Sequence, residues 1–287
     1  MASTSQAMCA SLFNAFFPDD CRLCEKTLTT VSRIPVCPTC LGLPRPLDME
    51  YFCCVCRTPF VDSYPLDEND LCMVCRESRA NFDAAYSFGS YDGALQKLIQ
   101  LFKYGKVESL AQPLSRLLLQ SLPFGENFDV VMAMPMHWRK RWERGFNQAE
   151  LLAGPVAKRF GLKLSHHLRR SRYTRAQAGL NEKQRQENLK NSLMVKRPAE
   201  LSGKRVLLID DVLTTGATLR AAAAALKASG ASRVTALTLA RVDNRAFAPG
   251  SDSQRRQASR RSRGFDTSSA STSAGGRKTQ TAGTGAK

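Results

Sequence analysis

The chain contains no run of the roughly 18 or more consecutive apolar residues that a membrane-spanning helix needs, so a helical membrane protein is not expected. Met1–Phe17 has no basic stretch and only a broken apolar one, so no secretory signal is expected and the cytoplasm is the expected compartment. The pattern Gly-x4-Gly-Lys-Ser/Thr is missing, which argues against a P-loop nucleotidase. Histidine is scarce, with none before His137. A catalytic zinc usually has histidine or carboxylate ligands and an open position, so none is expected in the N-terminal third. Cysteine is absent after Cys75. At 287 residues the chain has room for one ordinary domain and a small one.

All 10 cysteines therefore crowd into the first 75 residues. Eight of them form Cys-x2-Cys pairs, Cys21/Cys24, Cys37/Cys40, Cys53/Cys56 and Cys72/Cys75, separated by 12, 12 and 15 residues. In a reducing compartment such pairs read as zinc ligands rather than disulfides. Each turn offers two thiolates, and two turns complete a tetrahedral site. Two structural zinc ions are expected. Sequential pairing (Cys21, Cys24, Cys37, Cys40, then Cys53, Cys56, Cys72, Cys75) makes two zinc ribbons; interleaved pairing would make a cross-brace. Sequential pairing is favoured. Cys54 could compete with Cys53, at a poorer spacing, and Cys9 has no partner. A segment of about 60 residues so poor in apolar runs could hardly fold on its core alone, and structural zinc contributes on the order of 10–16 kcal/mol to such folds.

The net charge of +17 is unevenly spread. Residues 1–81 hold 7 basic and 10 acidic side chains, residues 82–243 hold 26 and 13, and residues 244–287 hold 9 and 2. The positive field thus lies on the second region and the tail, where it suits a polyphosphate, a nucleic acid or solubility alone. Residues 244–287 are rich in Ser, Thr, Gly, Arg and Ala and read as a disordered basic tail. The expected organisation is a double zinc ribbon over 10–80, an α/β domain over 81–243 and the tail over 244–287.

The densest chemistry lies in Val206–Leu219. Val206 to Ile209 are apolar, as in a strand covered on both faces. Asp210 and Asp211 follow at the expected strand end, where open α/β sheets bind ligands. Two adjacent carboxylates repel, so sugar hydroxyls or Mg²⁺ should offset them. Thr214, Thr215, Gly216, Ala217 and Thr218 then offer successive N–H groups and hydroxyls at the start of a helix, a cradle for phosphate. Gly216 permits a positive φ.

Elsewhere strands alternate with helices. Asn81–Tyr91 suggests a hinge and an edge strand. Leu95, Leu98, Ile99 and Phe102 mark one helix face, and Leu110, Leu114, Leu117 and Leu118 another. Asp129–Pro135 is a short apolar strand, followed by a basic loop His137–Arg144. Ala149, Leu152, Val156 and Phe160 stripe a helix. Arg233–Leu239 adds a strand after a helix stop at Gly230. The alternation indicates an α/β domain with a mostly parallel sheet.

The run Val206–Thr218 resembles the signature of phosphoribosyltransferases, which bind 5-phosphoribosyl pyrophosphate (PRPP). The resemblance implies a Rossmann-like fold. Asp210 and Asp211 would hold the ribose 2′- and 3′-hydroxyls, with Mg²⁺ nearby on ribose and pyrophosphate oxygens, and Thr214–Thr218 would hold the 5′-phosphate. The run Pro135-Met-His-Trp-Arg, the run Arg144-Gly-Phe-Asn-Gln-Ala149, the segment Arg172–Leu180 with Arg185 and Asn188, Phe102-Lys-Tyr-Gly105 and the cysteine pairs together are similar to the ComF/GntX family over roughly residues 10–242. That likeness implies a zinc ribbon joined to a phosphoribosyltransferase domain. Pro135, Met136 and His137 would face the pyrophosphate, residues 172–188 would form a hood bearing Arg172, Thr174 and Gln177, and Arg144 would be a further pyrophosphate contact. It also implies a link to natural competence, with imported single-stranded DNA and a helicase as partners. No motif names the acceptor.

Overall fold

From Ala84 onward, apolar strands alternate with amphipathic helices, and they assemble into a parallel sheet as that alternation predicts. The computed structural model describes residues 19–28, 32–64, 66–78, 81–170 and 193–242. The chain divides into two units, Met1–Asp243 and Asn244–Lys287. The whole second unit, with its expected tail, lies outside the described residues, as do Cys9 and the expected hood at 172–188.

The N-terminal part contains a short helix α1 (Pro38–Leu41), a hairpin of β1 (Tyr51–Phe52) and β2 (Pro59–Phe60), and α2 (Met73–Ser78). There follow β3 (Ala84–Ser90), α3 (Gly93–Tyr104), α4 (Ala111–Gln120), β4 (Val130–Ala133), α5 (Trp138–Arg144) and α6 (Gln148–Arg159). The last elements are β5 (Leu164–Ser165), β6 (Leu168–Arg170), β7 (Leu193–Val195), β8 (Arg205–Leu213), α7 (Ala217–Ala228) and β9 (Arg233–Arg241). The sheet order is β3-β9-β8-β4-β5, with every pairing parallel. Beside it β6 and β7 form an antiparallel ribbon.

The core follows the periodicity. Leu95, Leu98, Ile99 and Phe102 of α3 are buried, and so are Leu114 and Leu118 of α4 and Ala149, Leu152 and Val156 of α6. Val206 to Ile209 have no exposed surface at all. Each such leucine, isoleucine, valine or phenylalanine side chain stabilises the fold by about 1.5–3 kcal/mol relative to an exposed position. No described helix is long and apolar enough to cross a membrane.

Two sequence expectations are corrected. His137–Arg144 is not a loop: Trp138–Arg144 is helical. None of its residues is buried, so periodicity could not reveal it; its ends hold it instead. The His137 Nδ1 accepts a hydrogen bond from the Arg139 N–H at 3.3 Å, and Gly145, at φ 87°, donates its N–H to the Arg141 carbonyl at 2.8 Å. The strand of the signature run also does not stop before the aspartates. It continues to Leu213, because β9 goes on pairing with it as far as Leu213↔Arg241.

The cysteine-bearing segment is bonded along the free edge of β3. The Leu47 N–H donates to the Phe88 carbonyl at 2.8 Å, and the Ala85 N–H donates to the Val55 carbonyl at 2.9 Å. A Cβ on Gly89 would sit 2.7 Å from the Arg45 carbonyl oxygen, so only glycine permits the close approach there. An otherwise open strand edge is thereby covered.

Candidate functional site

The sheet reverses its winding between β4 and β8: the chain leaves β4 toward β5 on one side and β8 toward β9 on the other. A crevice opens beyond the carboxyl ends of strands at such a point. The Met134 N–H donates to the Ile209 carbonyl at 2.8 Å, the last bond between the two strands. Past it, Asp210 and Asp211 keep β9 as a neighbour and lose β4. Pro135, Met136 and His137 leave β4 on the opposite wall. Asn147 anchors that exit, donating from Nδ2 to the Met134 carbonyl at 3.1 Å while its Oδ1 accepts from the Ala149 N–H to start α6.

The two aspartates have different surroundings. Asp211 is 2.9 Å from the Lys103 ammonium, and the two side chains are only 16% and 13% exposed. Asp210 accepts the Asp211 N–H at 2.9 Å. Burial, and then the neighbouring Asp211 charge, push the Asp210 carboxyl up to about 7; Lys103 and Arg170 pull the other way. The expected offset for the paired acids is thus partly built into the fold, as Lys103. Neither periodicity nor charge marked Lys103, because its partner is distant in sequence. Its only signal was its place in Phe102-Lys-Tyr-Gly105.

A raised carboxyl pKa means that the folded chain binds a proton the unfolded chain has lost, so this group's contribution to stability falls as pH rises from about 4 to 7. Asp210→Asn should therefore raise the melting temperature at pH 8, by about 2–4 °C if the net gain is near 1 kcal/mol. The gain should shrink as pH falls through that window. Melting curves at pH 4.5 and pH 8 check this, and a pH-independent difference would contradict it.

After Leu213 the chain turns through exposed Thr214 and Thr215 to Gly216, at φ 73°. A Cβ at Gly216 would meet Arg220 at 3.0 Å and Leu213 at 3.3 Å. Gly216 has no side chain to cap α7; the Thr215 hydroxyl accepts from the Ala217 N–H at 3.4 Å, and Ala217 and Thr218 open a helix of 12 residues whose first amides face the turn.

On the β4 side a cavity of about 190 Å³ is lined by Pro135, Met136, His137, Arg141, Glu150 and Arg170, among others. Burial, with Arg170, Arg139 and Lys140 nearby, holds His137 below its usual pKa and favours the neutral ring. Arg170 is itself lowered by burial, while Asp210 acts to raise it, and its buried Nε has no hydrogen-bond partner among the described residues. Arg170 thus borders the cavity and interacts electrostatically with Asp210, a role no sequence pattern suggested. Arg144 donates to the Gln148 Oε1 at 3.2 Å, and its guanidinium lies 5.1 Å from the Tyr104 ring centre. Arg172, Thr174 and Gln177 lie outside the described residues.

The cysteines form two clusters, Cys21, Cys24, Cys37, Cys40 and Cys53, Cys56, Cys72, Cys75, with the four sulfurs of each within 4.8 Å of one another. This is the sequential grouping. Cys24 and Cys37 sulfurs are 3.8 Å apart, and Cys56 and Cys72 sulfurs 3.6 Å. Four thiolates about 2.3 Å from one zinc would have such separations, so the residues present fit that metal. Backbone N–H groups support the sulfurs, from Cys37 to Cys21 at 3.3 Å and from Cys72 to Cys53 at 3.4 Å. Cys54 is exposed, and its thiol donates to the Asn69 carbonyl.

A parallel sheet with acids and a glycine turn at its switch point defines a domain of the phosphoribosyltransferase type, and residues 147–257 match the phosphoribosyl transferase domain family. The chain is 30% identical over 232 residues to DNA utilization protein YhgH of Salmonella typhimurium, covering 78% of this chain and 97% of that protein. It is 31% identical over 176 residues to competence protein F of Haemophilus influenzae, covering 58% and 76%. The chain belongs to this competence protein F/YhgH family. Among solved structures, adenine phosphoribosyltransferase of Thermoanaerobacter pseudethanolicus aligns at 21% identity and a TM-score of 0.30, over 49% of this chain and 83% of that one.

Proposed function

We propose that the protein binds PRPP with Mg²⁺ in the crevice between β4 and β8 and is a Mg²⁺-dependent phosphoribosyltransferase with an acceptor still to be assigned. The observation that carries this reading is the adjacency of Asp210 and Asp211 to the turn Thr214–Thr218 on one strand-turn-helix unit. That unit offers hydroxyl acceptors and phosphate donors a few residues apart. Asp210 and Asp211 hold the ribose 2′- and 3′-hydroxyls. Thr214, Thr215, Gly216, Ala217 and Thr218 take the 5′-phosphate by backbone N–H and hydroxyl groups. Pro135, Met136 and His137 face the pyrophosphate; Arg170 supplies positive charge there, and Arg172, Thr174 and Gln177 belong to a hood. Mg²⁺ would supply charge neutralisation at the pyrophosphate oxygens. The protein's own contribution is placement and a preorganised field for the departing pyrophosphate. Lys103 holds Asp211 in position.

Calorimetric titration with PRPP, with and without Mg²⁺, tests the reading. Saturable Mg²⁺-dependent binding is expected, and its absence would end the enzymatic interpretation. In this proposal residues 10–80 are the double ribbon with two structural zinc ions, 81–243 the phosphoribosyl domain and 244–287 the tail, in a cytoplasmic protein linked to competence.

A second reading, that the chain handles single-stranded DNA together with a helicase, is favoured by α5. Trp138 and Trp142 lie one helical turn apart, 59% and 86% exposed, among Arg139, Lys140, Arg141 and Arg144. The Arg139 guanidinium lies 5.3 Å from the Trp138 ring centre. Exposed aromatics among cations stack on bases regardless of sequence, at about 1–3 kcal/mol per base. The names of the relatives, DNA utilization and competence, agree with this. Replacing both tryptophans by alanine should weaken binding of a short single-stranded oligonucleotide at least about tenfold. Fluorescence anisotropy at fixed low salt measures it, and unchanged affinity would remove α5 from the reading.

A further inference from the structure

Arg241 ends β9 and is 6% exposed, yet among the described residues no carboxylate pairs with it. Its Nη1 donates to the Cys56 carbonyl at 2.8 Å, and its Nη2 donates to the Thr58 hydroxyl. Arginine can only donate, so the Thr58 hydroxyl accepts there and its own proton is free for the Cys56 sulfur, 2.9 Å away. The guanidinium therefore reaches one cysteine of the second cluster twice, once at its backbone and once through a hydroxyl relay. Its Nε has no hydrogen-bond partner among the described residues.

A buried guanidinium with only neutral partners is costly unless a negative charge lies close by. A divalent metal held by four thiolates has a net negative charge, and that is the compensation available here.

The other end of the same residue faces the phosphate turn. Arg241 pairs with Leu213, the residue immediately before Thr214, and the next amide, Val242, donates to the Leu213 carbonyl at 2.9 Å. The Tyr91 N–H closes the far side on the Arg241 carbonyl at 2.7 Å. Leu213 is the last residue of β8 before the turn that starts α7.

We infer that Arg241 is a positioning residue that couples metal occupancy of the Cys53, Cys56, Cys72, Cys75 cluster to the order of the turn Thr214–Thr218. With the metal in place, the thiolate charge holds the guanidinium, the guanidinium holds the end of β9, and β9 holds Leu213. Loss of the metal frees the backbone that carries Cys56 and Thr58, so the guanidinium loses its anchors and the turn loosens. The first cluster has no such link to β9 among the described residues. The importance of this coupling for ligand binding rests on the phosphoribosyl reading above; the coupling itself does not.

Hydrogen exchange read by mass spectrometry on the full zinc-loaded chain tests it. Peptides spanning 210–219 should exchange roughly tenfold faster in Arg241→Met than in the wild type, with zinc content unchanged. Arg241→Lys, which keeps the charge and loses the fork, should fall between them. Cys72→Ser should match Arg241→Met in this peptide, and Cys37→Ser in the first cluster should not. Should Arg241→Met fail to fold, Thr58→Val breaks the relay alone and should raise exchange of the same peptide by a smaller factor. Unchanged exchange in zinc-loaded Arg241→Met, or in Thr58→Val where that variant stands in, would overturn the inference. Equal loosening by Cys37→Ser and Cys72→Ser would also overturn it, since it would indicate general destabilisation. A PRPP titration of the same samples separates the two readings: the expected exchange pattern without ligand binding would leave the coupling standing and remove the phosphoribosyl pocket.

Discussion

Converting Asp210 and Asp211 together to asparagine is expected to weaken PRPP binding by a hundredfold or more. Each carboxylate accepts from a ribose hydroxyl in the proposed pocket, and a hydrogen bond to a charged group contributes about 1.5–3 kcal/mol. Two of them amount to at least about 3 kcal/mol, which is a factor of roughly 100 in affinity. Asparagine keeps the size and the hydrogen-bonding ability of the side chain, so the fold should survive. One consequence needs a control. Lys103 loses the carboxylate 2.9 Å away and is left nearly buried without its acid. The relief of repulsion at Asp210 acts in the opposite direction, because burial and Asp211 already disfavour its charge. Thermal unfolding of the double variant should accordingly shift little, while calorimetric titration with PRPP and Mg²⁺ loses its signal. Binding within threefold of the wild type would mean that the acids do not hold the ribose.

The second large effect is expected on metal removal. Stripping zinc from the chain under reducing conditions should unfold the segment around both cysteine clusters, because little else holds it. Its buried apolar side chains other than cysteine are few, Leu28 and Val36 among them. Structural zinc contributes on the order of 10–16 kcal/mol in comparable small folds. The damage should extend beyond the ribbons. Leu47 and Val55 cover the edge of β3, and once they leave, the strand presents unpaired backbone groups. Chelation should therefore produce protease cleavage between residues 45 and 60, followed by light scattering from self-association. Cys72→Ser should reproduce both and Cys54→Ser neither, since Cys54 lies outside both clusters. A metal-free chain that resists protease and stays monomeric would show that the clusters are dispensable for the fold.

Much of the architecture was legible because it depends on neighbours in sequence. The apolar run Val206–Ile209 had to be covered on both faces, and its residues are fully buried. The helices Gly93–Tyr104 and Gln148–Arg159 bury the stripes their spacing marked, except that Phe160 falls at the C-cap of the second and is only half-buried. Gly216 has the positive φ that a phosphate-type turn requires. The cysteine spacing favoured two sequential clusters, and that is how the sulfurs gather. The helix Trp138–Arg144 escaped notice because it buries nothing, and periodicity registers only helices that do. The short strands Leu164–Ser165, Leu168–Arg170 and Leu193–Val195 escaped for a related reason, being too brief to show an alternation.

The candidate site divides along the same line. Residues that act through their own backbone, Thr214 to Thr218, can be read from a local motif. Lys103, Arg170 and Arg241 could not, since each is defined by a partner on another element: Asp211, Asp210 and Cys56. By itself the sequence determined that this chain has two four-cysteine clusters, a parallel α/β domain and a strand ending in paired acids before a glycine turn. Each of these depends on contacts within a few residues or on burial of one continuous run. The tertiary structure alone decided how the charges are compensated. An ammonium offsets one acid, a buried guanidinium ties the second cluster to the turn, and the acids sit within β8 rather than beyond it. Coulombic and hydrogen-bond partners are chosen by distance in space, and a linear order of residues does not contain that distance.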